Sequence, residues 1–370
     1  MKKFSTLSAV ATFMLGSFAA QAQFTVDGTL STTEIGTGTG KYQLAGTYTN
    51  SHTTADRGLK ALYVGTTATT LNVLVVGSPE TTAYQALALY LDMPNKTGIA
   101  ASTQLPGGDD TSSQLRSKPT LDMPVDYAFR MTTSPLGTGG STTYYSKLDY
   151  TGTANTAGNF QDKYLGPAGK TGTPLVITDA TTNIVDARFA FQTSTSGSVS
   201  ANTSTGWEFQ IPLASLGGAA AGTTVRMMVA FLNDDASFTA ETLPQIAGQT
   251  AALGTNPNFA TIAGNQSYAY QVGTGVLATR SAGTSLQAAA YPNPVVAESR
   301  LVYTVADQAQ PVTVEAFNSL GQRSATLVAA TQNPGEHSVA LAPLQRLTPG
   351  VYLVRVQAGS QLTSQRVVVQ

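Results

Sequence analysis

Pro349-Gly350-Val351-Tyr352-Leu353-Val354-Arg355-Val356 decides the fold of the C-terminal part of the chain. Tyr352, Val354 and Val356 alternate with Leu353 and Arg355, the period-two pattern of a strand with one buried face. Thr348-Pro349-Gly350 starts the hairpin that Arg366-Val367-Val368-Val369 closes. Upstream, Val312, Val314 and Ala316 alternate with Thr313 and Glu315. Asn318 to Gly321 and Asn333-Pro334-Gly335 supply the Asn, Pro and Gly that tight turns require. Nothing in this region carries a helical period, so residues 291–370 read as a small antiparallel β-sandwich.

The same reading extends toward the N-terminus. Strand-like runs recur at Leu59–Val64, Leu71–Val76, Ala86–Leu91, Val125–Met131, Leu175–Ile177, Ile184–Phe191, Trp207–Ile211 and Val225–Leu232. Leu71-Asn72-Val73-Leu74-Val75-Val76 is almost continuously apolar, as expected of a strand covered on both faces. Gly-, Thr-, Ser- and Pro-rich segments between the runs read as long loops. The chain is therefore expected to be all-β: a large β-sandwich or jelly roll over residues 23–272, a linker over 273–290, and a small immunoglobulin-like β-sandwich over 291–370.

The tail carries a further signal. Tyr291-Pro292-Asn293-Pro294, Asn318-Ser319-Leu320-Gly321-Gln322-Arg323, the Pro349–Val356 run and Arg366–Val369 together resemble the type A C-terminal sorting domain of the bacterial type IX secretion system. Pro292, Asn293, Pro294, Gly321, Pro349, Gly350, Tyr352 and Arg366 carry the resemblance. Asn318 stands where the family often has an acidic residue, and Arg366 where it often has Lys; both keep polarity or charge. The resemblance implies recognition by the type IX machinery, usually followed by removal of the tail, and a location secreted from or on the outer surface of a Gram-negative cell.

The N-terminus agrees. Lys2 and Lys3 precede an apolar run from Leu7 to Ala20, and Ala20-Gln21-Ala22 offers the small residues of a cleavage site. Residues 1–22 thus read as a signal peptide with Gln23 as mature start. The run is too short for a transmembrane anchor. A formal net charge of −1 offers no electrostatic footprint for nucleic acid. The absence of Cys removes disulfides, thiol nucleophiles and cysteine metal sites, leaving stability to a packed core.

Val26-Asp27-Gly28-Thr29-Leu30, Ala86–Asp92, Gly206–Gly217 and Asn233-Asp234-Asp235 follow one another in the order of landmarks in carbohydrate-binding module family nine, which residues 23–272 resemble. That resemblance implies a non-catalytic jelly roll binding an extracellular glycan and able to hold calcium. Sugar modules set aromatic faces against pyranose rings. Trp207, the only tryptophan, shares a strand face with Phe209 and Ile211 and reads as core. Tyr144, Tyr145, Tyr150 and Tyr164 are instead the candidates for an exposed binding face, the alternative being ordinary strand tyrosines with wet hydroxyls. Asp234 and Asp235, like Asp109-Asp110, offer hard oxygen ligands for a structural Ca²⁺, or are solvated Asx turns.

Catalytic signatures are sparse. His52 and His337 are isolated, and neither a zinc-binding His pair nor a G-x-S-x-G elbow occurs. Gly166-Pro167-Ala168-Gly169-Lys170-Thr171 lacks the first glycine of a phosphate loop, since position 164 is Tyr164. Asp92 and Glu208 are a conceivable but unmotivated glycosidase pair. The expectation is a protein without enzyme activity whose partner is a glycan or surface matrix. A structural or adhesive surface protein is the alternative, and a polysaccharide hydrolase a distant one.

Overall fold

The computed structural model describes residues 24–79, 83–135, 142–277, 286, 288–305, 310–318, 321–333, 335–358 and 361–370. The expected signal peptide lies outside these. The chain divides into two compact units, Met1–Thr279 and Arg280–Gln370. Of the expected linker, Gly275–Leu277 is a strand of the first unit and Ala288–Tyr291 a strand of the second. Strands are joined by loops and short 3-10 turns throughout the described residues.

The first unit is a sandwich of two antiparallel sheets. One sheet has β1 (Gln43–Thr47), β2 (Gly58–Thr66), β3 (Thr70–Ser78), β8 (Leu175–Val176), β9 (Arg188–Phe191) and β10 (Gly206–Pro212), in the order β1-β2-β3-β10-β9-β8. The other has β4 (Ala86–Asp92), β5 (Tyr127–Thr133), β6 (Thr142–Asp149), β7 (Lys163–Gly169), β11 (Thr224–Leu232), β12 (Phe238–Leu243), β13 (Tyr268–Gln271) and β14 (Gly275–Leu277). Its order is β14-β13-β11-β4-β5-β6-β7, with β12 also paired to β11.

Period-two geometry sorts the side chains. Val73 and Val75 of β3, Leu87 and Leu89 of β4, Phe129 of β5, and Trp207, Phe209 and Ile211 of β10 fill the space between the sheets. The central strands are also covered on their outer faces, which explains their continuous apolar runs. Leu74 and Val76 pack against Phe24, Leu30 and Tyr42 from the N-terminal segment. Ala88 and Tyr90 meet Leu105, Leu115, Leu121 and Met123 from the long loop between β4 and β5, with Phe238 and Phe259. That loop fastens one outer face of the sandwich and carries half of the site described below.

Not every sequence boundary survives. Only Arg188–Phe191 of the Ile184–Phe191 run is strand, because Asn183 and Asp186 sit at positive φ and turn the chain before it. Residues 142–149 and 163–169, read as a loop-rich region, are strands β6 and β7.

The second unit has β15 (Ala288–Tyr291), β16 (Arg300–Val305) and β19 (Gly335–Ala340) in one sheet, ordered β15-β16-β19. Its other sheet has β17 (Gln310–Phe317), β18 (Arg323–Gln332), β20 (Gly350–Ala358) and β21 (Gln361–Val369), ordered β18-β17-β20-β21. Val312, Val314, Ala316, Tyr352, Val354 and Val356 all face its core, as their alternation requires.

Candidate binding site and the sorting tail

The outer face of β5, β6 and β7 carries a recess. Cross-strand register sets Thr132 opposite Tyr144, Arg130 opposite Ser146, and Ser146 opposite Tyr164. These positions hold side chains at sheet-fixed spacings, more rigid than any loop would provide. Tyr84, just before β4, joins them: its ring centroid lies 6.4 Å from that of Tyr144, with the planes tilted by 53°. Tyr84 is 43% exposed and Tyr164 51%. The 110–116 segment and Asp234 complete a cavity of about 560 Å³.

Polar groups at its base are held in place. Arg130 is 6% exposed. It donates through Nη1 to Gln114 Oε1 at 3.0 Å, and Gln114 Nε2 donates to the Tyr84 carbonyl at 2.7 Å. Gln114 opens a 3-10 turn whose N-cap, Ser113, accepts from Leu115 N. Arg130 Nε is buried with no partner among the described residues. Burial pulls the guanidinium pKa down, opposed by the charges of Asp162 and Asp110. Arg116 ties the rim together, donating to the carbonyls of Thr111 at 2.7 Å and Asp234 at 3.3 Å. The result is three tyrosines around a guanidinium, a second arginine and carboxylates, a set suited to stacking a ring while hydrogen-bonding its edge.

Tyr144 and Tyr164 thus converge on one face, but Tyr145 and Tyr150 do not. Tyr145 is wholly buried, packed 5.4 Å from Phe189 between the sheets, and its hydroxyl accepts from Thr143 Oγ1. It follows Tyr144 on a strand, and adjacent strand residues point to opposite faces. Tyr150 is 3% exposed, edge-on to Phe160 beneath the loops of the outer cluster. Tyr84, Gln114 and Arg130 went unread in the sequence. Only Arg130 carries a local signal, a charge inside the apolar run Tyr127–Met131.

Two of the acidic candidates, Asp110 and Asp235, cap their own turns. Asp235 Oδ1 accepts from Ser237 N at 2.9 Å and Ser237 Oγ at 2.6 Å, bonds that hold its carboxyl below the usual range. Asp109 Oδ1 accepts from Asp162 N, and Asp110 Oδ1 from Ser112 N. Asp234 lines the tyrosine cavity. Among the described residues no group of three His, Asp or Glu gathers as a metal-ligand set. Asp92 and Glu208 leave the sandwich on opposite outer faces, since Leu91 and Trp207 beside them point between the sheets.

In the second unit the motif residues bind its two ends together. Asn293 Nδ2 donates to the Arg366 carbonyl at 3.0 Å, while its Oδ1 accepts from Val368 N at 2.9 Å. Pro292 O accepts from Ser299 Oγ. Gly321 has φ +76°, where a Cβ would be strained, and its amide donates to Asn318 O; Asn318 Oδ1 accepts from Gln322 N. An acidic residue at 318 could make the same bond. Pro349 and Gly350 lead into β20, and the Tyr352 hydroxyl donates back to Thr348 O at 2.9 Å. Arg366 is exposed on β21 opposite Leu353. Glu315 receives Arg323 at 2.8 Å and Arg355 at 2.9 Å, and Arg355 lies 4.4 Å from the centre of the Phe317 ring.

No helix among the described residues is long and apolar enough to cross a membrane. No curated protein matches the chain. Among solved structures, dimeric latent PorU from Porphyromonas gingivalis aligns over 89% of this chain at 12% identity with TM-score 0.19, and the chain spans 34% of its length. A tetra-tandem repeat from the extending region of a large adhesion protein aligns over 82% of this chain and 96% of its own at 12% identity, TM-score 0.20. The FN1–FN3 domains of chicken CNTN1 align over 82% and 95% at 8% identity, TM-score 0.16. TM-scores this low assign neither fold nor function. The comparisons leave the likeness to carbohydrate-binding module family nine unconfirmed. Residues 289–370 match the family described as secretion system C-terminal sorting domain. The chain therefore ends in a type IX sorting domain, which marks it for export through that system to the cell surface or beyond.

Proposed function

We propose that the exported protein is a non-catalytic carbohydrate binder whose ligand docks against Tyr84, Tyr144 and Tyr164 with Arg130 at the base. The observation that carries this is a guanidinium fixed by Gln114 in the lining of a recess that exposed tyrosine rings also wall. A guanidinium held there can donate to a sugar's hydroxyls or ring oxygen while the sugar's apolar face meets a tyrosine. The separation of Asp92 and Glu208 on opposite faces supports a binding role over glycoside hydrolysis, which needs two carboxyls about 5–10 Å apart. Export by the sorting domain delivers the site to where extracellular glycans are found.

Affinity electrophoresis of the full chain against a polysaccharide panel, with and without chelator, tests this. One glycan class should retard the protein, and Tyr84→Ala with Tyr144→Ala should weaken retention by roughly tenfold or more, as expected for removing stacked rings. Both positions are at the surface, so the fold should persist by circular dichroism. Silence across the panel from folded protein would move the function to an adhesive or structural surface role. Release of reducing ends would move it to a hydrolase.

A further inference from the structure

A second, smaller cavity of about 150 Å³ lies at the same end of the eight-stranded sheet, where β4 begins and β11 ends. Its lining and that of the tyrosine cavity meet at consecutive residues twice. Tyr84 belongs to the first and Gln85 to the second; Asp234 belongs to the first and Asn233 to the second. The wall between them includes the hydrogen bond from Gln85 Nε2 to Asn233 Oδ1, 2.8 Å. Gln85 Oε1 is buried there without a partner among the described residues.

The second cavity has a preorganised polar end. Glu241 lines it with Arg57, and its side chain is 2% exposed. Glu241 Oε2 accepts from Leu59 N at 2.7 Å and lies 3.0 Å from His52 Nδ1, so the carboxylate is locked. Gly58 makes room for it: a Cβ there would sit 2.1 Å from Oε2. A fixed carboxylate and a guanidinium lining one cavity suit vicinal hydroxyls, which donate to one and accept from the other.

We propose that this cavity is a second subsite, joined to the tyrosine cavity across the Gln85–Asn233 bridge, and that the ligand is an oligosaccharide spanning both. The inference rests on the carbohydrate reading above. One unit stacks on the tyrosines, and a neighbouring unit reaches Glu241 and Arg57 after passing over the bridge. Affinity should then depend on chain length, since the second unit adds hydrogen bonds to charged groups.

The experiment is calorimetric titration of the full chain with glucose, cellobiose, cellotetraose and cellohexaose, and with the matching xylose series. From monosaccharide to tetrasaccharide the affinity of the bound series should rise by about tenfold or more, the value of one or two charge-assisted hydrogen bonds. Ala252→Trp, at an exposed position lining only the second cavity, should erase that rise and leave the monosaccharide affinity unchanged. Arg57→Gln should reduce the rise without a steric block. A length-independent affinity that Tyr84→Ala still weakens overturns the second subsite alone, as does a length gain untouched by Ala252→Trp. Binding indifferent to Tyr84→Ala, or no binding by either series together with silence across the polysaccharide panel, overturns the carbohydrate reading and the subsite with it; no binding by either series when another glycan class retards the protein overturns the subsite for these chains.

Discussion

Trp207→Ala should cost the first unit about 3–5 kcal/mol, the range for deleting a large aromatic from a core that cannot collapse around the space. Trp207 is wholly buried, 4.9 Å from Phe209 between ring centroids, in the aromatic layer that also holds Phe129 and Phe189. That layer draws Phe129 from one sheet and Phe189, Trp207 and Phe209 from the other, so the loss falls on the packing that joins them. Trp207→Phe should cost much less. The indole Nε1–H is buried with no partner among the described residues, and Phe removes that donor along with the volume. Urea unfolding followed by circular dichroism reads both variants. In the unchanged protein Trp207, the sole tryptophan, also reports the first unit's transition by fluorescence. A loss below about 1 kcal/mol for Trp207→Ala would mean that this layer is not the centre of the core.

The same strand illustrates what was legible before the structure. Trp207, Phe209 and Ile211 alternate with Glu208 and Gln210, and alternation assigned Trp207 to the core. Leu71–Val76 likewise announced a strand covered twice. The strands β6 and β7 were hidden because Thr142–Asp149 mixes hydroxyls with two charges, Lys147 and Asp149, and Lys163–Gly169 is an edge strand with Gly and Pro and little buried surface. Edge strands need no apolar alternation, so their pattern is weak. The site was half legible for the same reason. Without β6, the opposite orientations of Tyr144 and Tyr145 were not available. Tyr84 and Gln114 meet Arg130 only because the β4–β5 loop folds back over the sheet, a long-range contact without a local period.

Glu208 shows how a residue weighed as a catalytic carboxyl can instead be a latch, with a pH signature of its own. Its Oε2 accepts from Asp27 N and Gly28 N, each at 2.8 Å, and its Oε1 from the Tyr42 hydroxyl at 2.7 Å. It thereby holds the N-terminal segment over the outer face of β3 and β10. Gly28 fits because its φ is +71° and a Cβ would lie 2.5 Å from Gln192 N. Glu208→Ala strands three donors and should cost roughly 3 kcal/mol or more, at about 1–3 kcal/mol for each buried group left unpaired. Burial pushes the carboxyl pKa from 4.5 up to about 7, with its three hydrogen bonds opposing the shift. The folded protein therefore holds a proton that the unfolded chain releases. The resulting stability is full below pH 4.5 and is lost as pH rises through 7, a change of roughly 3 kcal/mol by linkage. Asp92, raised from 3.8 to about 6 chiefly by burial, adds a loss of the same sign at lower pH. Asp126 and Asp162 are raised by burial as well, so the comparison that singles out Glu208 is with Glu208→Gln between pH 6 and 8. That variant should be less stable at pH 5, because an amide oxygen replaces a carboxyl serving three donors, yet its stability should decline less between pH 6 and 8. Parallel declines in the two proteins would show that Glu208 is ionised throughout, a charged clasp held by its three donors. A shallower decline in the variant would show that the segment is held most firmly in mild acid and loosens toward alkaline pH.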